Sequence, residues 1–248
     1  MPRKKESSIG DLPKKIQLFP YYGNIVMPGV NLPIPFSSPD HALPILSTIS
    51  NKNSLIGLVQ PISKSIKLDP YYDDLDELSA INDFTELFES HLDIVDESMF
   101  FKTGTLAAIS DIIKVDEDGT EPLAIMHGIC RFNIKNIYKP EEGVGYFAEV
   151  EYDNFNKDLE EKITFEFDRE KLIKKLAFYL KKQSNKKDLE MLSEVSDEKF
   201  LHAVCMMLPL NAIEKQAFLE EPKIIDQLDI IHKLVEMNDS KSLSFKIH

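Results

Sequence analysis

The sequence predicts an α+β fold in which a curled sheet or barrel is followed by a bundle of helices. Two patterns indicate this order: short stretches of alternating apolar residues dominate residues 1–167, whereas apolar residues at helical spacing dominate residues 168–248. Tight turns rather than helices separate the predicted strands, which is typical of a barrel or a curled sheet. We therefore expect two parts, with the change at Asp168.

The composition is that of a globular protein, because 43% of the 248 residues are hydrophobic and 29% are charged. No apolar run approaches the roughly 20 residues that cross a bilayer, and no apolar stretch follows the basic first residues. We therefore expect no membrane partner, no secretory signal and a cytoplasmic location. The net charge of −13 argues against nucleic acid as the main partner, because a surface that binds phosphates must be positive.

The first strands are predicted at Lys15 to Phe19, Val30 to Phe36 and Leu55 to Gln60. In the second of them, Leu32, Ile34 and Phe36 share one face, and Pro33 and Pro35 lie on the other. Proline cannot donate a hydrogen bond to a neighbouring strand. We therefore expect this strand to lie at an edge of the sheet or to carry a bulge.

Residues 69–97 form an acidic insertion, with eleven Asp and Glu and no Lys or Arg. Scattered apolar residues argue against simple disorder, so we predict a long excursion with one helical segment. A solvated surface insertion explains this composition, and docking of a basic partner is the alternative that stays open.

The clearest strand signal is a hairpin, predicted from Thr103 to Val115 and from Pro122 to Tyr138 around the turn sequence DEDG. Gly128 interrupts the long second strand, which predicts a bend or a bulge there. Tyr146 to Tyr152 adds one further strand of alternating residues.

The second part predicts about four helices joined by short connections, as in an antiparallel bundle. The first is capped by Asp168, and the second ends before Pro209. Asn211 and Glu214 are spaced as a capping box at the start of the third helix. Pro222 is predicted to open the last helix.

The residues that carry chemistry are sparse. Cys130 and Cys205 each lie in an apolar run, which predicts buried free thiols. The six histidines form no pair at helical spacing, so we predict neither a metal site nor a cofactor. Neither a glycine-rich phosphate loop nor a nucleophilic serine motif occurs, so we predict no catalytic residue and no enzymatic activity.

Several short motifs occur in the order that one known family shows. They are LFP at 18–20, VMPG at 26–29, LPI at 32–34, GTLA at 104–107, GICRF at 128–132, AEV at 148–150 and LPLNAIEKQAFLE at 208–220. On these motifs the sequence resembles the Lon amino-terminal (substrate-binding) domain family over roughly residues 15–237. The chain departs from the family at residues 36–41, where the family's Phe-Glu-Pro-Arg-Tyr is absent.

The resemblance implies a PUA-like curled β-barrel followed by helices, standing alone without ATPase or peptidase parts. It also implies a domain that binds unfolded or exposed segments of other polypeptides. Tyr21, Tyr22, Met27 and Phe36 are the candidate contact residues, because aromatic rings and a flexible thioether suit contact with varied partners. The alternative is that Met27 and Phe36 fill the barrel and the tyrosines pack the turn.

Two further interpretations of the function stay open. The chain is an adaptor for a separate protease or chaperone if the acidic insertion docks that partner. It is a PUA-like RNA-binding module if the lysines between residues 171 and 187 bind phosphates. Finally, Arg131 and Glu149 are predicted to be structural and to form an ion pair across two strands.

Overall fold

A computed structural model of the chain describes residues 9–36, 44–46, 48–49, 54–62, 100–113, 122–138, 145–160, 167–180, 195–208 and 210–233, with the side chains of 175–180 left out. The predicted acidic insertion at 69–97, the DEDG turn and the lysines beyond residue 180 lie outside these ranges.

Six strands form one sheet: β1 Lys15–Pro20, β2 Asn31–Pro35, β3 Leu55–Pro61, β4 Phe100–Ile113, β5 Leu123–Tyr138 and β6 Phe147–Glu151. Their order is β2-β5-β4-β3-β1-β6, and β6 also pairs with β5, so that the sheet closes on itself. Only β1 and β3 run parallel; the other described pairs are antiparallel. The predicted α+β fold with a curled barrel is confirmed.

The long strand β5 closes the ring because it changes partners along its length. Its first half pairs with β2 and its second half with β6. Opposite β4, the register shifts so that Ile129 is an extra residue beside Gly128, which is the predicted bulge. A side chain at Gly128 is excluded by close packing, because a Cβ there would lie 2.2 Å from the carbonyl oxygen of Met27.

The helices follow the barrel: α1 is Arg169–Leu180, α2 is Asp197–Met207, α3 is Ala212–Glu220, and α4 covers 224–233. The predicted cap is confirmed, since the Asp168 carboxylate accepts the Lys171 N–H at 2.9 Å. The capping box is also present, with distances of 3.0 Å and 2.9 Å between Asn211 and Glu214. The last helix begins at residue 224, two residues after Pro222, so the helix was predicted to start two residues too early.

Three apolar clusters make up the core. The barrel cluster fills the ring around Leu106 and Phe132. The corner cluster packs on the other face of the sheet around Phe19 and Met126. The helical cluster joins all four helices and also takes in Ile25 and Met27 from the loop between β1 and β2, so that the helices pack directly on the barrel part.

Candidate functional site

A buried arginine fixes the helices to the barrel. Arg131 of β5 donates to the Asp158 carboxylate through Nε at 2.9 Å and through Nη2 at 2.7 Å. Its Nη1 donates to the carbonyl oxygens of Leu219, at 3.1 Å, and of Glu221, at 2.6 Å. The guanidinium also lies 4.6 Å from the ring centre of Phe155. One desolvated charge therefore joins β5, the 3-10 segment after β6 and the end of α3.

The predicted ion pair between Arg131 and Glu149 was wrong. Glu149 lies on β6 opposite Asn136 of β5, and its carboxylate pairs instead with Lys15 on β1, at 3.3 Å on the protein surface. The strand register is the physical reason, because Glu149 faces Asn136, five residues beyond Arg131 along β5. Arg131 reaches Asp158 and the end of α3 instead.

A second polar contact joins the barrel to α3. Gln60 Oε1 accepts the Gly23 N–H at 3.1 Å, and Gln60 Nε2 donates to the Ala212 carbonyl at 2.9 Å and to Gln216 Oε1 at 3.1 Å. Gln216 Nε2 in turn donates to the Thr103 carbonyl at 3.1 Å. We call this contact, together with the Arg131 contact, the junction. Because its polar groups are paired, the junction fixes where the helices lie.

Two titrating side chains lie in or beside the junction. His202 is buried, with its ring nitrogens 3.0 Å from the Pro28 carbonyl and 3.3 Å from Gln227 Oε1. Burial lowers the pKa of His202 to about 4, so the ring is neutral at pH 7. For Glu198, burial and then the nearby Asp158 carboxylate raise the pKa to about 7.

The structure does not bring the four predicted contact residues onto one surface. Met27 is fully buried in the helical cluster, and Phe36 is buried in the corner cluster. Tyr21 is partly buried, with its ring 6.0 Å from that of Phe19, and burial raises its pKa. Tyr22 is 43% exposed. The burial of Met27 and Phe36 favours the alternative that they fill the interior, and contact with a polypeptide stays a prediction for Tyr21 and Tyr22.

Tyr22 is one of three exposed apolar side chains that lie next to, or two residues from, residues of the junction in the chain. Tyr22 precedes Gly23, which is hydrogen-bonded to the Gln60 side chain. Ile62 follows Gln60 by two residues. Ile213 follows Ala212, whose carbonyl accepts a hydrogen bond from Gln60. Ile62 is 50% exposed and Ile213 is 69% exposed. We call Tyr22, Ile62 and Ile213 the rim patch.

A larger apolar surface lies where β4, β5 and β2 extend beyond the end of β3. The register aligns side chains of the three strands in rows, because directly paired residues lie on the same face. We call this surface the open face. Its nine positions are Ala108, Asp111 and Ile113 in β4, Leu123, Ile125 and His127 in β5, and Asn31, Pro33 and Pro35 in β2.

The open face continues the inner face of the barrel. Ala108 lies on the same side of β4 as Leu106, two residues away, and Leu106 belongs to the barrel cluster. The opposite side of these strands is covered, since Ile34, Ala124 and Met126 are buried in the corner cluster. The open face therefore begins at the mouth of the barrel and runs outward over three strands.

The apolar side chains of the open face are incompletely covered. Ile113 is 49% exposed, and Pro33 is exposed as well. Ala108, Pro35, Leu123 and Ile125 are partly buried, and none of the core clusters of the described residues includes them. Six neighbouring apolar side chains on one unpaired sheet face are typical of a binding surface.

The outer edge of β2 has few donors. The Phe36 N–H donates to the Pro122 carbonyl at 3.1 Å, and the Val30 carbonyl accepts the Gly128 N–H at 3.0 Å, so even-numbered residues turn their backbone groups toward β5. The backbone groups of residues 31, 33 and 35 consequently point outward, away from β5. Because positions 33 and 35 are proline, the edge presents three carbonyl oxygens and one N–H. The predicted edge strand is confirmed, since β2 pairs only with β5 among the described strands.

A groove of about 470 Å³ lies between β1, β6 and a 3-10 turn at Ile9–Asp11. Three lysines and three carboxylates line it, and they largely pair: Lys15 with Glu149 at 3.3 Å and Lys135 with Glu151 at 2.6 Å. Within the described ranges, no three His, Cys, Asp or Glu side chains are grouped as a metal site requires. Cys130 and Cys205 are buried and free, as predicted.

These observations define the class of protein. It is an α+β domain in which a closed six-stranded sheet carries packed helices and an open apolar face. Residues 15–237 match the family described as the ATP-dependent protease La (LON) substrate-binding domain. Because this match spans most of the 248 residues, the chain belongs to that family. The match concerns this domain only, and no ATPase or peptidase domain is detected over the chain.

One solved structure agrees on the fold. The N-terminal domain of Mycobacterium avium complex Lon protease is similar with a TM-score of 0.56 and 13% identity, over 90% of this chain and 98% of that one. A Lon N-terminal domain protein from Xanthomonas campestris has a TM-score of 0.48 and 16% identity, over 87% and 95% of the two chains. No curated protein matches by sequence. Within the described residues, no helix has the length and apolar character needed to cross a membrane.

Proposed function

We propose that the chain binds exposed apolar segments of other polypeptides on its open face and performs no catalysis itself. The family's description as a substrate-binding domain supports a polypeptide as the ligand. The observation that carries the proposal is the set of six neighbouring apolar side chains on an incompletely covered part of the sheet.

The driving force is burial of apolar surface, about 25 cal/mol for each Å² removed from water. Unfolded chains expose aliphatic and aromatic side chains that folded chains hide. A broad sheet face without a deep pocket binds such side chains without requiring one sequence. The open face therefore suits varied clients.

Side-chain contact, rather than addition of a strand, is the binding mode that the edge of β2 supports. A strand that pairs with an edge needs alternating donors and acceptors there. Pro33 and Pro35 remove two of the three outward N–H groups. The client thus lies across the face instead of extending the sheet.

The two parts of the chain have different roles in this proposal. The barrel part, residues 1–167, carries the open face, and the helices of residues 168–248 support it through the junction. Tyr22 extends the contact on the rim patch, and Tyr21, its neighbour in the chain, is a further contact residue. The proposal also covers delivery of bound clients to a separate protease or chaperone, in the reducing cytoplasm that two free buried thiols suit.

The test is binding of a reduced, carbamidomethylated protein that cannot fold, measured by fluorescence anisotropy against the folded form of the same protein. We expect only the unfolded form to bind. Replacing Ile113 and Ile125 together with Ser should weaken binding at least about tenfold, which corresponds to 1.4 kcal/mol.

Ile225→Ser is the matched control, because Ile225 is 49% exposed, as is Ile113, but lies on α4. It should leave binding unchanged. A Tyr22→Ser, Ile213→Ser double variant reports on the rim patch. If only that double variant loses binding, the binding site is the rim patch and not the open face. Binding of RNA instead of unfolded protein would refute the proposal.

A further inference from the structure

We infer that the open face selects segments in which apolar side chains are accompanied by lysine or arginine, and that it rejects acidic segments. This inference rests on the proposed function, since it names the kind of polypeptide that the same surface binds. It follows from which polar groups surround the apolar side chains.

Asp111 is the only charged side chain among the nine positions of the open face. It is exposed and lies directly opposite Ile125, in the row that ends at Pro33. Its Oδ1 accepts the Ile112 N–H at 2.8 Å, and no lysine or arginine of the described ranges forms an ion pair with it. A carboxylate offers about four acceptor sites, so most of its capacity is left for a ligand.

The edge of β2 adds acceptors of the same kind. The carbonyl oxygens of Asn31, Pro33 and Pro35 point away from β5, and two of these residues have no N–H. The Asn31 side chain is engaged, with its Oδ1 at 2.7 Å from His127 Nδ1. Lysine and arginine are donors only, whereas ionised Asp and Glu are acceptors only. The border of the open face therefore matches basic side chains and opposes acidic ones.

The surrounding charge acts in the same direction. The net charge of the chain is −13. A negative potential attracts cationic segments and speeds their association at low ionic strength.

The experiment uses three peptides with the same leucine and phenylalanine residues, separated by lysine, serine or glutamate. Their affinities for the full chain are measured by fluorescence anisotropy at low and high salt. We expect the lysine peptide to bind about fivefold tighter than the serine peptide at low salt, and the glutamate peptide to bind weakest. The preference should shrink at high salt.

The variant Asp111→Asn keeps an oxygen for the Ile112 N–H but removes the charge. It should lose most of the advantage that the lysine peptide has over the serine peptide, because the largest single source of negative charge on the open face is gone. Asp229→Asn, at an exposed position on α4, is the matched control and should keep the full preference.

The outcomes separate the two proposals. If none of the peptides binds, the proposed function fails. If all three bind equally to the unmodified chain, the inference fails and the proposed function stands. The inference also fails if Asp229→Asn removes the preference as completely as Asp111→Asn, because general charge would then explain it.

Discussion

The junction and the open face lie on the same strand and have opposite characters. Arg131, in the second half of β5, is 3% exposed, and its donors are paired with a carboxylate and two carbonyls. Ile125, six residues earlier, lies in an apolar surface that no described core cluster includes. One part of β5 therefore holds the molecule together, and the other is left for a partner. Stability and binding should respond to substitutions in different places.

The largest effect on stability is expected at the junction. Arg131→Ala would leave the Asp158 carboxylate buried without its cationic partner and with only the backbone N–H of residue 131 as a donor, and breaking such a pair costs about 3–5 kcal/mol. Urea unfolding followed by circular dichroism measures the loss. Lys15→Ala is the control, because it breaks an exposed ion pair that contributes about 0–1 kcal/mol. Equal losses in the two variants would show that the junction does not hold the helices.

Met27→Ala tests a residue that the sequence proposed for binding and the structure places in the core. Because Met27 is fully buried in the helical cluster, its truncation should cost about 2–5 kcal/mol in the free energy of unfolding. Affinity for an unfolded protein, measured at a temperature where the variant stays folded, should not change. Normal stability with weakened binding would instead restore Met27 to the contact surface.

A smaller effect, which depends on pH, is expected from Glu198. Its pKa is raised from 4.5 to about 7, so the folded protein holds a proton that the unfolded chain releases between these values. This contribution to stability is complete below pH 4.5 and is lost as the pH rises to about 7. Glu198→Gln should therefore be more stable than the unmodified chain at pH 8, by on the order of 1 kcal/mol for a partly solvated side chain.

The check is to measure how the difference in free energy of unfolding between Glu198→Gln and the unmodified chain varies with pH. The two proteins should be equally stable near pH 4.5 and diverge up to about pH 7. His202 has the opposite trend, since its lowered pKa gives stability that is present above 6.5 and is lost as the pH falls toward 4. Both proteins contain His202, so its contribution cancels in the difference. A constant difference at all pH values would argue against the raised pKa.

Local signals in the sequence predicted much of the fold. The cap at Asp168 and the capping box of Asn211 and Glu214 each depend on residues close in the chain, and the glycine at position 128 indicated the bulge. The partner of Arg131 could not be found in this way. Asp158 lies 27 residues later in a 3-10 segment, and a bulge decides which way Arg131 points.

The open face was missed for a similar reason. Simple alternation places Ile109, Asp111 and Ile113 on one side of β4. A second register shift, at Ser110, puts Asp111 and Ile113 on the open face and leaves Ile109 on the covered side. The outward prolines of β2 were a readable signal, but only the pairing of Pro33 with Ile125 shows that they complete an apolar surface.

The most direct test of the account is to locate a bound client by photo-crosslinking. A photoreactive amino acid is placed at position 113, at position 213 of the rim patch or at position 225 of α4, and each variant is irradiated with an unfolded, fluorescent protein. Binding on the open face predicts strong crosslinking from position 113, weaker crosslinking from position 213 and background from position 225. Crosslinking from position 225 as strong as from position 113, or none from position 113, would contradict binding on the open face.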